Sequence, residues 1–261
     1  MSAAPRLTVV LLAYNEAPCA LDTCVEIHGV LAGLAVPFEF VLVDDGSTDG
    51  TGALLDQFAV AHPAARVVHH PRNLGLGGVY RTGFREARGA AITFLPADGQ
   101  FDPAEILPRF LAEIDRGADL VLGYIPGRPG SLVARGLSLA ERALYRALFG
   151  RFPRFQGIVM FRRTLIDAYP LVSDGRGWAV LMELILRVCR GPHRVIGVPN
   201  TLRPRAAGTS KVNNWRTVQA NLRQLWPLWR ELGFRRARIR IGGPEDPADD
   251  HAFARANRRL P

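Results

Sequence analysis

Three short polar clusters, each directly behind an apolar run, hold the residues of this chain best suited to chemistry. Val41-Leu42-Val43 stops in Asp44-Asp45-Gly46-Ser47-Thr48-Asp49-Gly50-Thr51, Leu7-Thr8-Val9-Val10-Leu11-Leu12 closes on Ala13-Tyr14-Asn15-Glu16, and Phe94-Leu95 runs into Pro96-Ala97-Asp98-Gly99-Gln100. An apolar strand that ends in two carboxylates and a glycine turn is built to hold a ligand at its tip, and the expected ligand is a nucleotide. At the third tip Asp98 and Gln100 are one residue apart, so both oxygens face one point, as a hard divalent cation bridging two phosphates requires. Magnesium or manganese suits that pair. The competing reading is an Asp-Gly turn with a solvated acid, because turns favour these residues on conformational grounds alone.

The elements that must position these tips alternate along the chain. Strand patterns at Thr8 to Leu12, Phe38 to Val43, Ala65 to His69 and Ala90 to Leu95 are separated by helical stretches from about Cys19 to Leu34, about Thr51 to His62, and a glycine-rich turn with a helix to about Ala87. The apolar runs are continuous rather than alternating, as in parallel strands covered on both faces, and such sheets bind ligands beyond the carboxyl ends of their strands. The fold class expected is α/β, a doubly wound and mostly parallel sheet with helices on both faces.

With 261 residues, 48% of them hydrophobic, the chain has enough material for one full α/β core. Cys19, Cys24 and Cys189 form neither an even disulfide framework nor a closely spaced metal cluster, so idle or buried thiols in a reducing compartment are expected. The N-terminus lacks a basic segment followed by an apolar stretch, so no export signal is expected, and no run approaches the ~18 apolar residues of a membrane span. A net charge of +9 implies an anionic partner: a nucleotide sugar, a phospholipid surface or a nucleic acid. The basic residues are not interleaved with a recognised nucleic-acid motif, so that partner is set aside. Residues 1–211 are expected to form the catalytic domain, and residues 212–261 a basic, Trp-rich helical segment with a polar tail.

Taken together, the tips resemble the family 2 glycosyltransferases of GT-A fold, and more narrowly the dolichol-phosphate or polyprenyl-phosphate sugar synthases. The residues that carry the resemblance are Tyr14 to Glu16, Asp44 to Thr51, and Arg72-Asn73-Leu74-Gly75-Leu76-Gly77, in the family's order and spacing over roughly residues 7 to 211. The resemblance implies a donor site lined by Leu12, Ala13, Tyr14, Glu16, Asp44, Asp45, Asn73, Gly75, Ala97, Asp98 and Gln100. Tyr14 stacks on the base and Asp45 hydrogen-bonds it, with Glu16 and Asp44 nearby; Asp98 is the main metal ligand, supported by Gln100. The family's third tip is usually Asp-x-Asp, whereas this chain has Pro96-Ala97-Asp98, a loss expected to weaken binding more than chemistry. The glycines at 75, 77 and 78 allow a phosphate or sugar to approach the backbone, with Arg72 or Arg81 as a cation. A dinucleotide fingerprint is excluded, because these glycines follow the third strand rather than the first.

Downstream, Arg205-Ala206-Ala207-Gly208-Thr209-Ser210-Lys211 matches the Arg-x-x-Gly-x-Ser-Lys element of the polyprenyl-phosphate synthases. An arginine fork, a hydroxyl and an ammonium around a glycine turn surround a phosphate well, and by the resemblance Arg128 and Arg135 converge on the same anion. Glu183, in the apolar stretch after Gly177-Trp178, matches an acidic position near the acceptor; the plainer reading pairs it with Arg187 at i+4. Gln156 stands where the family often has an acid.

The expected reaction is inverting transfer of a hexose from a GDP- or UDP-linked sugar to polyprenyl phosphate. The acceptor is already an anion, so electrostatic preorganisation outweighs general-base catalysis, and Asp98, Arg128, Arg135, Arg205 and Lys211 are the catalytic candidates. A hydroxyl acceptor on a glycan, lipid or small molecule needs a base instead, with Glu183 first in line. A third reading is a sugar-nucleotide-binding homologue weakened at Pro96 and Gln156. Between Val212 and Arg240, Trp215, Trp226, Trp229 and Phe234 stand among arginines. This pattern suits either a peripheral contact with the inner face of a membrane, for an otherwise cytoplasmic protein, or packing back on the domain or on a second subunit.

Overall fold

The structure is a computed structural model that describes residues 4–126, 155, 157–204, 229–230, 232 and 241–242. β1 (Leu7–Ala13), β2 (Phe38–Asp44), β3 (Ala65–His69) and β4 (Ala91–Pro96) pair in parallel, with β1 between β2 and β4. α1 (Ala17–Gly33), α2 (Thr51–Ala61) and α3 (Gly75–Glu86) make the crossovers. α4 (Pro103–Asp115) leads to β5 (Leu120–Tyr124), and then come β6 (Val159–Arg162), α5 (Thr164–Ala168), α6 (Ala179–Arg190), β7 (Val195–Pro199) and β8 (Ile241–Gly242).

The sheet runs β3-β2-β1-β4-β6-β5-β7-β8, and β6 alone among these strands is antiparallel to its neighbours β4 and β5. The doubly wound, mostly parallel class read from the sequence is the one observed. β1 faces both layers of the core. Leu7, Val9 and Leu11 pack in one cluster with Ile27 and Leu31 of α1, Leu55 of α2 and Phe110 of α4; Val10 packs in the other with Tyr80 and Phe84 of α3 and Leu184 and Val188 of α6. Two-sided burial is why its apolar run is unbroken.

Helix boundaries follow local chemistry. α1 begins at Ala17, before the expected Cys19, because Pro18 is tolerated in the first turn, where a missing N–H costs nothing. α2 stops at Ala61 and His62 is extended, at φ −131°, since Pro63 disfavours the helical region in the residue before it. Asp102 caps α4 by accepting from the Ala104 and Glu105 amides, with Pro103 at the first helical position.

The late chain also returns to the domain. Leu232 is buried and its carbonyl accepts from Arg190, and β8 pairs with β7 at the sheet edge.

Phe94 of β4 is fully buried and meets Tyr80, Phe84 and Phe161, with ring centroids 4.8, 5.5 and 6.4 Å away. Phe94→Ala is expected to cost about 3–5 kcal/mol, because the aromatic cluster between sheet and helix cannot close over the void. Urea unfolding checks this: the midpoint should fall while the slope with denaturant stays unchanged.

Candidate active site

The chain winds outward from β1 through β2 to β3, then crosses back to place β4 on the other side of β1. The sheet order therefore reverses between β1 and β4, and a crevice opens beyond their carboxyl ends. All three polar tips of the sequence lie along this rim. The ladder continues past the strands, with the Asp45 amide donating to Ala13 O at 2.9 Å and the Ala97 amide to Leu12 O at 3.0 Å.

Most of the Asp44–Thr51 motif stitches the first tip to the second. The Asn15 amide donates to Ser47 Oγ at 2.9 Å, Asn15 Oδ1 accepts from the Thr48 amide at 2.8 Å, and the Glu16 amide donates to Thr51 Oγ1 at 2.9 Å. Asp49 accepts from the Ala17 and Thr51 amides at 3.1 and 3.0 Å. Asn15 makes its turn at φ +52°, a left-handed conformation that Asn tolerates better than most residues. Tyr14 is thereby held half-buried at the rim, and Glu16 is buried.

Asp45 has a different place from the one expected. Its Oδ1 accepts from His70 Nδ1 at 2.7 Å and the Leu74 amide at 2.8 Å, and its Oδ2 from Asn73 Nδ2 at 2.9 Å and the Gly75 amide at 2.8 Å. Four donors use the lone pairs of a carboxylate that is 3% exposed. Asp45 was expected to hydrogen-bond a base; its oxygens accept from these four donors within the protein. The Leu74 and Gly75 amides open α3, so the helix N-terminus that would suit a phosphate already holds Asp45. Gly46 lets this happen: at φ +71° a β-carbon there would lie 2.5 Å from the Arg72 carbonyl carbon. His70 Nε2 lies 2.8 Å from Thr82 Oγ1, which fixes the ring from behind.

Asp44 is the other acid of the pair, 5% exposed. Its Oδ1 accepts from the Ser47 amide at 3.0 Å and its Oδ2 lies 3.0 Å from His69 Nδ1. His69 Nε2 lies 3.0 Å from Asp56 Oδ1. A carboxylate beside each ring nitrogen favours the protonated form of the imidazole. The hydrogen bond to Asp44 raises the His69 pKa above 6.5, burial opposes this, and Asp56 adds to it. Burial alone would raise Asp44, but hydrogen bonds from Ser47 and His69 outweigh it and hold the carboxyl below 3.8.

At the third tip Asp98 is 7% exposed, on a turn through Gly99 at φ +68°, and its Oδ1 accepts from the Gln100 amide at 3.2 Å. The Ala97 carbonyl beneath it accepts from Cys19 Sγ and Thr23 Oγ1, both at 3.3 Å. Arg203 ties the segment leading to Arg205 onto this turn. Its amide donates to Gln100 O at 2.8 Å, and its guanidinium reaches Glu26 at 2.8 Å and Asp102 at 2.7 Å. Arg128, Arg135, Arg205 and Lys211, like Gln156, lie outside the described residues.

Glu183, the expected base for a hydroxyl acceptor, is turned into the protein. It is fully buried, its oxygens accept from the Val172 and Ser173 amides at 2.8 to 3.2 Å, and Arg187 donates to it at 2.6 and 2.8 Å. The i+4 pair with Arg187 is present, and the carboxylate also caps the loop before α6. Arg81 donates through Nη1 to the Gly175 carbonyl at 3.0 Å, and Arg72 is exposed.

The sequence profile described as glycosyl transferase family 2 matches residues 8–169, which contain all three tips. The chain belongs to glycosyl transferase family 2. Among similar family 2 proteins, polyprenol monophosphomannose synthase of Mycolicibacterium smegmatis is 31% identical over 242 residues, covering 88% of each chain. Undecaprenyl-phosphate mannosyltransferase of Micrococcus luteus is 30% identical over 232 residues, 80% of this chain and 88% of that one. A mannosyltransferase of Pyrobaculum calidifontis solved with GDP-Man and Mn2+ superimposes at TM-score 0.63 and 21% identity, over 97% of this chain and 69% of the other. Glucosyl-3-phosphoglycerate synthase of Mycobacterium tuberculosis, solved with Mn2+, UDP-Glc and phosphoglyceric acid, gives TM-score 0.63 at 21% identity over 87% and 80%. These likenesses establish the GT-A fold for this family 2 chain.

Three residues that hold this rim together escaped the sequence reading: His69, His70 and Arg176. The two histidines directly follow the apolar part of β3, so their position at a strand exit was a usable signal. Arg176 donates to Asn73 Oδ1 at 2.6 Å across 103 residues of sequence, and no local pattern announces that.

The Asp44–His69 pair sets a pH window. His69, with its folded pKa raised, contributes fully below 6.5 and loses that contribution as pH rises through the folded value. Asp44, with its folded pKa lowered, contributes above 3.8 and loses it as pH falls through the folded value. The stability difference between the natural chain and His69→Gln is expected to be largest between these two pH values and to shrink as pH rises through the raised His69 value, as thermal unfolding across pH would show.

Proposed function

We propose that this chain is an inverting glycosyltransferase that moves a hexose from a nucleotide-diphosphate sugar to a polyprenyl phosphate, with Mg2+ or Mn2+. The observation that carries the reading is the buried Asp98 carboxylate at the β1–β4 crevice, beside the Tyr14–Glu16 tip. The two lipid-phosphate mannosyltransferases above, each similar to at least 80% of this chain, support the acceptor class. The solved GDP-Man and UDP-Glc complexes keep both nucleotides in view.

The donor set fits a hard cation: one carboxylate from Asp98 and the Gln100 amide oxygen, with the remaining positions left to diphosphate and water. A bound cation would offset charge on the leaving diphosphate. Tyr14 offers a face to the base, and Asp44, rather than the saturated Asp45, is the acid assigned to its polar edge. Pro96 gives no carboxylate at the position where the family usually has its first Asp. The phosphate acceptor is an anion and needs no proton removed, which agrees with the inward engagement of Glu183 and disfavours a hydroxyl acceptor. Arg128, Arg135, Arg205 and Lys211 are assigned to the entering phosphate.

Asp98→Asn is expected to lower kcat/KM for transfer to polyprenyl phosphate by about 100-fold or more, and chelation should abolish turnover until Mn2+ or Mg2+ is restored. Resolving the product anomer in the same assay tests the chemistry: inversion is expected, and retention would count against in-line displacement. Nucleotide binding without transfer to any acceptor would favour the weakened, binding-only reading.

No helix among the described residues is long and apolar enough to cross a membrane. A cytoplasmic chain is assigned a peripheral place on the inner membrane face, through Trp215, Trp226 and the neighbouring arginines. The full chain should pellet with vesicles containing an anionic phospholipid, and Trp215→Ser with Trp226→Ser should release it; equal soluble fractions for the two proteins would argue against this contact.

A further inference from the structure

The loop between α5 and α6 sends one guanidinium back to the donor side of the crevice. Arg176 Nη2 donates to Asn73 Oδ1 at 2.6 Å, and Nδ2 of the same amide donates to Asp45 Oδ2 at 2.9 Å. A guanidinium only donates and a carboxylate only accepts, so the amide has one orientation and joins cation to anion. The loop is fixed independently. Glu183 caps Val172 and Ser173, Arg81 holds the Gly175 carbonyl, and the Gly77 amide donates to Arg176 O at 2.9 Å. Gly75 and Gly77 come so near the 175–177 backbone that a β-carbon on either would collide with it. Arg176 is itself exposed, yet its backbone is pinned against the start of α3.

We propose that Arg176 is a positioning residue for donor binding, acting through Asn73 on the Asp45-centred turn. This rests on the proposed donor site. The path starts at Glu183 in α6, runs through the loop to Arg176, crosses by Asn73 to Asp45, and reaches the β2 tip next to Asp44. It gives the acid buried in α6 a role without proton transfer: it sets where Arg176 stands, and Arg176 sets how Asn73 presents its N–H to Asp45.

A double-mutant cycle on the full chain tests this, with binding of GDP and of UDP, each with Mn2+, measured by calorimetry. Arg176→Ala alone should weaken binding of the preferred nucleotide by about tenfold, the scale of one charge-assisted hydrogen bond, and Arg176→Lys should recover part of the loss. In an Asn73→Ala background the further change to Arg176→Ala should cost less than about twofold, because coupled residues are not additive. Equal losses in both backgrounds would mean direct contact with the diphosphate and would overturn the proposal, as would undiminished binding by Arg176→Ala. Glu183→Gln should raise the donor KM and leave the pH profile of kcat unchanged; a lost limb in that profile would instead make Glu183 a base. Failure of the unsubstituted chain to bind either nucleotide would be a different result, striking the donor site itself.

Discussion

The Asp45 carboxylate is the constraint from which the rim is built. A charge removed from water is costly unless donors meet it, and four do: one from His70, two backbone amides from the start of α3, and one from Asn73. These groups come from the exits of β2 and β3 and from the first turn of a helix. Burying one acid therefore obliges three elements to converge. The partial positive charge of the α3 N-terminus, elsewhere a phosphate site, is neutralised from inside the protein. The ligand crevice is displaced toward β1 and β4, where Tyr14 and Asp98 stand.

The glycines of the Arg72–Gly78 stretch follow from the same packing. Gly75 and Gly77 admit the backbone of the loop before α6 rather than a ligand phosphate. That loop cannot withdraw without uncovering Glu183, whose charge is satisfied by loop amides and Arg187. The start of α3 and the loop before α6 are thus joined through contacts between backbone and side chain.

The parallel half of the sheet was legible because strands buried on both faces leave continuous apolar runs, and because each run ended abruptly in polar residues. That the three polar tips share one rim was legible for the same reason. Individual roles were less so. Asp44 and Asp45 are adjacent and chemically identical, yet one faces the Ser47 amide and His69 while the other fills a helix terminus; only the fold distinguishes them. Glu183 showed its i+4 partner in sequence, but its second set of donors lies ten and eleven residues upstream in a loop without a periodic pattern. β6 is four residues long and runs against its neighbours, too short to announce a strand by composition.

That reversed strand carries a consequence for the path of the chain. β5 exits at the ligand end of the sheet and β6 enters from the same end, with the Gly123 amide donating to Ile158 O at 2.8 Å where the two meet. The chain therefore leaves the sheet after β5 and rejoins it at β6 at neighbouring points of one rim. The number of residues between the two strands is thus not set by the register of the sheet.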